Sequence, residues 1–325
     1  MRAKMRAGGL LLSCCVVIFS APAVLAQSYP VKPIRVIVPF PPGGGTDIMA
    51  RTMAEKLGGA LGQQFIVDNR SGAGGALGTE LAAKAAPDGY TLLVNSSSAL
   101  VIGPHLVRKP PYDPLRDLAP VILIGSAPNV LVIHPSVPVK SVKELIALAK
   151  KRPGELNYAS NGAGTLSHLT GELFKMRAGI GMVHVPYKGG PPAVTDTMAG
   201  NVSLLFAAFP TVSVQVRAGR LRALAVSSTK RAAIAPDLPA VAETLPGFES
   251  SQWWGMFGPA GMPAEVVSRL NAEMRKVLAL ADVMKRLAAD AAEPIGGSAA
   301  ECAAFLRADY EKWQKVVQDS GIRPQ

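Results

Sequence analysis

Glycines set between a strand-like run and a helix-like run hold anions without a cationic side chain, and this chain has such stretches. The first is Phe40-Pro41-Pro42-Gly43-Gly44-Gly45-Thr46-Asp47. Glycine lets backbone N–H groups approach a ligand and adopts positive φ at little cost. A helix opening just beyond leaves its first N–H groups unpaired and carries about half a positive charge. Together these make a cradle for a small anion. The same residues also fit a tight turn capped by Thr46 or Asp47. Three consecutive glycines exceed what a cap needs.

Ser160-Asn161-Gly162-Ala163-Gly164-Thr165 repeats this grammar further along, ahead of Leu166, Leu169 and Leu173. It fits a dinucleotide fingerprint poorly, because Ser167 stands where the third glycine belongs. Asn161 and Thr165 read instead as neutral hydrogen-bonding groups. Tyr187-Lys188-Gly189-Gly190-Pro191-Pro192 forms a third turn, where Lys188 either meets a carboxylate or lies exposed beside the turn. A fourth, Asn69-Arg70-Ser71-Gly72-Ala73-Gly74-Gly75, has Leu77 where a dinucleotide site wants glycine.

Signatures of catalysis are missing. The chain has no Gly-x-Ser-x-Gly elbow, no His-Glu-x-x-His and no P-loop. His105, His134, His168 and His184 are scattered, and none is spaced as a metal pair. Ser167 and His168 are adjacent, but helix neighbours point apart. No cofactor and no metal are expected.

The elements that must carry these turns alternate between strand and helix, which predicts α/β units around mainly parallel sheets. Ile34-Arg35-Val36-Ile37-Val38 is a strand leading into the first turn. A helix from Asp47 stacks Met49, Met53, Leu57 and Leu61 on one face. Phe65-Ile66-Val67 and Tyr90-Thr91-Leu92-Leu93-Val94 are further strands. Val121–Ile124 and Val130–Ile133 read as one long interrupted strand. Ser141-Val142-Lys143-Glu144 is a capping box opening a helix that stops at Pro153-Gly154. A second α/β round runs from Leu156, with strands at 183–185, 202–206 and 221–226. Trp253 to Phe257 follow a proline-punctuated stretch. Two helices close the chain, one from Pro263 and one from the capping box Ser298-Ala299-Ala300-Glu301. Ligands of open parallel sheets lie beyond the carboxyl ends of the strands, so two such rounds facing each other make a cleft.

Residues 1–26 read as an export signal. Arg2, Lys4 and Arg6 precede the apolar run Leu10–Phe19, and Val24-Leu25-Ala26 suits cleavage after Ala26. The run is shorter than the roughly 20 residues a bilayer demands. Of the net charge of +11, three positives lie in this segment, leaving +8. That balance favours anions nearby, and no dense Lys/Arg run interleaved with aromatics supports nucleic acid as a partner. Cys14 and Cys15 leave with the signal. Cys302, spaced helically with Phe305, Leu306 and Trp313, is expected to be a buried small hydrophobe that forms no disulfide.

The chain resembles the Bug family, the substrate-binding proteins of tripartite tricarboxylate transporters. The resemblance spans essentially all of the chain after residue 26. It is carried by Tyr29-Pro30 with Pro33-Ile34, Val38-Pro39-Phe40 running into Gly43-Gly44-Gly45-Thr46-Asp47, Arg51, and Val67-Asp68-Asn69-Arg70 with Gly72-Ala73-Gly74-Gly75. Ala86-Pro87-Asp88-Gly89-Tyr90-Thr91-Leu92-Leu93, Tyr187-Lys188-Gly189, the stretch from Ala218 to Val226, and Pro259-Ala260-Gly261-Met262-Pro263 complete it.

The resemblance implies a two-lobed periplasmic binding protein of the type II, Venus-flytrap kind, not an enzyme. It implies uptake of a di- or tricarboxylate, amino acid or aromatic acid through a two-subunit permease, and a monomeric state. Lobe 1 would comprise 27–127 and 250–325, and lobe 2 would comprise 128–249. By position, Phe40, Gly43, Gly44, Gly45, Thr46 and Asp47 form the first wall, with Ser96 and Ser97 beside it. Asn161, Gly164, Thr165 and His168 form the second wall, with Tyr187 near. The family often carries an acid where this chain has Ala207, which implies an altered cleft and points toward a less polar or aromatic acid. Two other roles fit the same cleft: a sensor module for a membrane kinase, and an exported hydrolase using His168.

Overall fold

Strand β1 (Ile34–Val38) is buried on both faces, and its alternation splits the core in two. Val36 and Val38 point into one apolar cluster and Ile37 into another, as the two-residue period of a strand requires. The computed structural model describes residues 29–289, 291–322 and 324. The signal expected over 1–26 and its two cysteines lie outside them.

In the first half, β1 pairs in parallel with β2 (Phe65–Asn69) and β3 (Thr91–Ser96). Helix α1 (Gly45–Leu61) covers one face through Met49, Met53 and Leu57. Helix α2 (Ala76–Ala83) joins β2 to β3 on the other. Strand β4 (Leu118–Ile133) is the long strand expected across 121–133, uninterrupted and 16 residues long. Its first part lies in the first sheet and its last part, from Asn129, in the second.

The second half adds α3 (Val142–Lys151), β5 (Asn157–Ser160), α4 (Leu166–Ala178), β6 (Val183–Pro186) and α5 (Gly190–Met198). It continues with β7 (Leu204–Ala208), α6 (Phe209–Arg217) and β8 (Arg222–Val226). Strand β5 pairs in parallel with β6 and β7. The chain returns along β9 (Ser251–Pro259), antiparallel to β3 and to β4. Helices α7 (Ala264–Leu278) and α8 (Ala281–Ala289), strand β10 (Glu293–Gly296) and helix α9 (Ala299–Asp319) complete the fold.

The parallel pairing expected holds for the outer three strands of each half. Strands β4, β8, β9 and β10 add antiparallel pairs where the halves join, so the whole sheet is mixed. The capping box at Ser298 forms in full, whereas at Ser141 the hydroxyl caps the helix and the Glu144 carboxylate reaches the Lys140 N–H instead. The Ser141 hydroxyl accepts the Glu144 N–H and the Ser298 hydroxyl the Glu301 N–H. The tail holds three helices and a strand rather than two helices, because α8 and β10 fill the stretch left open between them. One apolar cluster runs from Ile37 through Trp253, Leu306 and Trp313 to Leu169 and Phe174, so both halves share part of a core. Cys302 sits inside it, fully buried.

Candidate functional site

The turn after β1 roofs a cavity of about 580 Å³ lined by Phe40, Pro41, Pro42, Gly43, Gly44, Gly45, Thr46, Ser96, Ser98, Gln252 and Trp254. No lining side chain is charged. Gly43 has φ +81°, a conformation that side chains with a Cβ resist. Gly44 is the N-cap of α1, and no side chain caps it. The N–H groups of Gly45 and Thr46 therefore open the helix without the usual side-chain acceptor. Trp254 forms one wall, and its indole N–H donates to Thr46 Oγ1 at 3.2 Å. Ser98 Oγ donates to Gln252 Oε1 at 3.3 Å, tying the turn after β3 to β9.

Asp47 stands behind this wall rather than in it. Its carboxylate is buried and accepts the Gly43 N–H and Arg51 Nε, each at 2.9 Å, and Asn69 Nδ2 at 2.9 Å. Asn69 also donates to the Phe40 carbonyl at 3.0 Å. The glycine turn is thus stapled from beneath to the end of β2. Burial works to raise the Asp47 pKa, but the hydrogen bonds from Arg51, Gly43 and Asn69 outweigh it and hold the carboxyl below its usual range. Ser97 likewise faces inward: it is fully buried, and its Oγ accepts the Trp253 N–H at 3.5 Å.

The second glycine turn is built differently. Asn161 N–H donates to Ser167 Oγ, Gly162 N–H to Ser160 Oγ and Gly164 N–H to His168 Nδ1. Thr165 N–H donates to the Gly162 carbonyl, and its hydroxyl bonds the same carbonyl at 2.7 Å while capping α4. Within this turn the N–H groups of Asn161, Gly162, Gly164 and Thr165 are thus spent on holding the turn itself. Tyr187 N–H donates to the Ser160 carbonyl and Gly189 N–H to the Asn161 carbonyl, which joins the third turn to the second. The Tyr187 hydroxyl donates to Asp196 at 2.6 Å. Burial, then the Asp196 carboxylate, push its pKa up to about 12.

His168 is buried and stacks on His184 with ring centroids 3.7 Å apart. His184 shares a 2.6 Å hydrogen bond with Ser160 Oγ. Adjacency drew attention to Ser167–His168; the Ser–His contact that forms is Ser160–His184, across 24 residues. Ser160 is fully buried beneath the turn, so a substrate does not reach its hydroxyl. Burial lowers both histidine pKa values, that of His184 to about 4, with His168 as its second cause. Among the described residues no three His, Cys, Asp or Glu side chains group as a metal site.

Ala207 is also corrected. It is buried in the apolar cluster beneath α5 and α6 with Val130 and Val212. The exposed end of β7 is Ala208. The absent acid therefore alters the core of the second half rather than the cavity wall. Gln252, Trp254 and Ser98 enter the lining without a local sequence signal, because β9 reaches the turn only through its pairing with β3.

Residues 49–322 match a family model described as the Tripartite tricarboxylate transporter family receptor. The chain belongs to this receptor family. Its members are periplasmic solute-binding proteins. The receptor is 41% identical over 305 residues to Protein BugT of Bordetella pertussis, covering 93% of this chain and 94% of that one. R. palustris Rpa4515 with adipate superposes with a TM-score of 0.74 at 36% identity, covering 91% of this chain and all of that one. A TctC solute-binding protein from Polaromonas, with no ligand, reaches 0.81 at only 25% identity, over 90% of this chain and all of that one. No helix among the described residues is long and apolar enough to cross a membrane.

Proposed function

We propose that this receptor captures a small carboxylate between its two halves and delivers it to a two-subunit membrane permease. One observation carries this: the glycine turn at the N-terminus of α1 lines a 580 Å³ cavity that has no charged side chain. Main-chain N–H groups and hydroxyls there supply charge-assisted hydrogen bonds to an anion. The adipate bound by a 36% identical relative supports the carboxylate class.

In this proposal the first wall is Phe40, Gly43, Gly44, Gly45, Thr46 and Ser96, supported from behind by Asp47 and Ser97. Residues Asn161, Gly164, Thr165, His168 and Tyr187 belong to the face that closes over it. The lobes divide near 127–128 and 249–250, where β4 exchanges β9 for β7 and the chain re-enters β9. The chain is exported, cut after Ala26 and acts as a monomer.

A thermal-shift screen of simple carboxylates tests the proposal. A ligand at 100 times its Kd adds about 2.7 kcal/mol to the stability. Stabilisation by neutral sugars or metal ions, with none by any acid, would refute it.

A further inference from the structure

We infer that Asn129 is a further ligand-binding residue, whose side-chain amide donates a hydrogen bond to an oxygen of the captured acid at the floor of the cleft. The inference rests on the carboxylate proposal above and adds a contact to it.

Asn129 Nδ2 is a buried donor without a hydrogen-bond partner among the described residues. The residue as a whole is 8% exposed. A buried amide N–H without an acceptor is rare in folded proteins and costs stability, so the fold keeps this one for an acceptor that arrives. The main chain of Asn129 is already matched. Its N–H donates to Ser227 Oγ at 2.9 Å, and its carbonyl accepts the Ser227 N–H at 2.8 Å. The unmatched donor therefore belongs to the side chain, on a backbone that is held in place.

The position sets this donor at the cleft. Strand β4 leaves β9 at the pair Pro128–Ser251 and takes up β7 at the pair Asn129–Ala208, so Asn129 stands where the halves join. Earlier on β4, Gly125 pairs with Trp254 and Ala127 with Gln252, and both partners line the cavity. The two-residue period of the strand puts Asn129 on that same face. Its partner across the ladder, Ala208, is the exposed end of β7. Directly opposed residues hold their Cβ atoms about 4.5–5.5 Å apart, so the amide lies beside that opening. Helix α6 begins at Ala208 without a side-chain cap, and the positive end of its dipole adjoins the amide. A neutral donor beside a helix start is the same kind of grip as the first wall. Rotation of the halves about this part of β4 turns the amide toward the acid as the cleft closes.

Two measurements test the contact. Isothermal titration compares the unaltered protein with Asn129→Leu, which keeps the volume and removes the donor, using succinate, adipate, citrate and benzoate as probes. Each acid that the unaltered protein binds should bind at least tenfold more weakly to the variant. A smaller change overturns the inference and leaves the carboxylate proposal standing. Failure of all four acids, and of every other carboxylate in the thermal screen, to bind the unaltered protein removes that proposal and the inference with it. Nitrogen-15 NMR of the unaltered protein separates contact from an effect on folding. The side-chain amide protons of Asn129, assigned through the bonds of the residue, should move downfield on saturation with the acid. Unmoved resonances overturn the inference whatever the variant does.

Discussion

The indole N–H of Trp254 reaches Thr46 Oγ1 at 3.2 Å, linking the strand that returns from the second half to the first turn of α1. In this bond the hydroxyl oxygen is the acceptor, which leaves its own proton to donate. The bond also couples the position of β9 to the glycine turn. Through it the wall of the cavity senses where the two halves meet.

Thr46→Val keeps the shape and removes the hydroxyl. A hydrogen bond to a charged group contributes about 1.5–3 kcal/mol, so carboxylate affinity should fall roughly 10- to 150-fold by titration. Thr46→Asp should abolish binding by like-charge repulsion. Unchanged affinity in both variants would remove the first turn from the site.

Trp254 is buried against the cavity, whereas Trp253 gives its indole N–H to the buried Asp309 at 2.7 Å. Ligand addition should therefore change the emission of Trp254 and leave that of Trp253 nearly constant. Trp254→Phe should erase most of the ligand-dependent signal.

Asp47→Ala strands the Gly43 N–H and Asn69 without their acceptor. The expected cost is roughly 1–3 kcal/mol in denaturant unfolding, with weaker binding because the turn loses its support. The sign of the pH effect follows from the depressed pKa. Asp47 contributes stability above the unfolded carboxyl pKa of about 4, and this is lost as pH falls through its lower folded value. The variant should lose that acid-side slope.

His184 acts in the same direction at a higher pH. Its folded pKa, about 4, lies below the ordinary 6.5, so between these values the unfolded chain binds the extra proton. Stability should decline as pH drops from 6.5 toward 4, with His168 adding in the same direction. His184→Phe should flatten this decline in pH-dependent melts. An unaltered slope would show that the stacked pair does not govern it.

Lys312 on α9 pairs with Glu249 and Asp309, each at 2.5 Å, beside the start of β9. Lys312→Met leaves two carboxylates close together and partly buried. The cost should be about 3 kcal/mol, the low end for breaking a buried pair, read as a lower denaturation midpoint.

Local signals in the sequence were well placed. The helix starts at Ser141 and Ser298, the strand before Gly43 and the long strand through Val130 depend on neighbours in the chain, and the structure forms them all. The first turn was legible because three glycines have few other uses. The second turn looked alike, but its donors are taken by Ser160, Ser167 and His168, whose positions depend on how α4 packs. Asn69 lay in a glycine-rich stretch that resembled a weak nucleotide motif. Its role as a clamp on Phe40 and Asp47 depends on β2 lying beside β1. Ala207 was assigned to the cleft by position, whereas the alternation of β7 turns it into the core.

Cys302 has its thiol sealed in the core, and burial pushes its pKa up to about 12. Maleimide chemistry needs a thiolate that solvent can reach. A cysteine introduced on each rim of the cleft would thus take a fluorophore without competition from Cys302. Distance measurements between two such dyes could follow opening and closing in single molecules, with no need to delete the native sulfur.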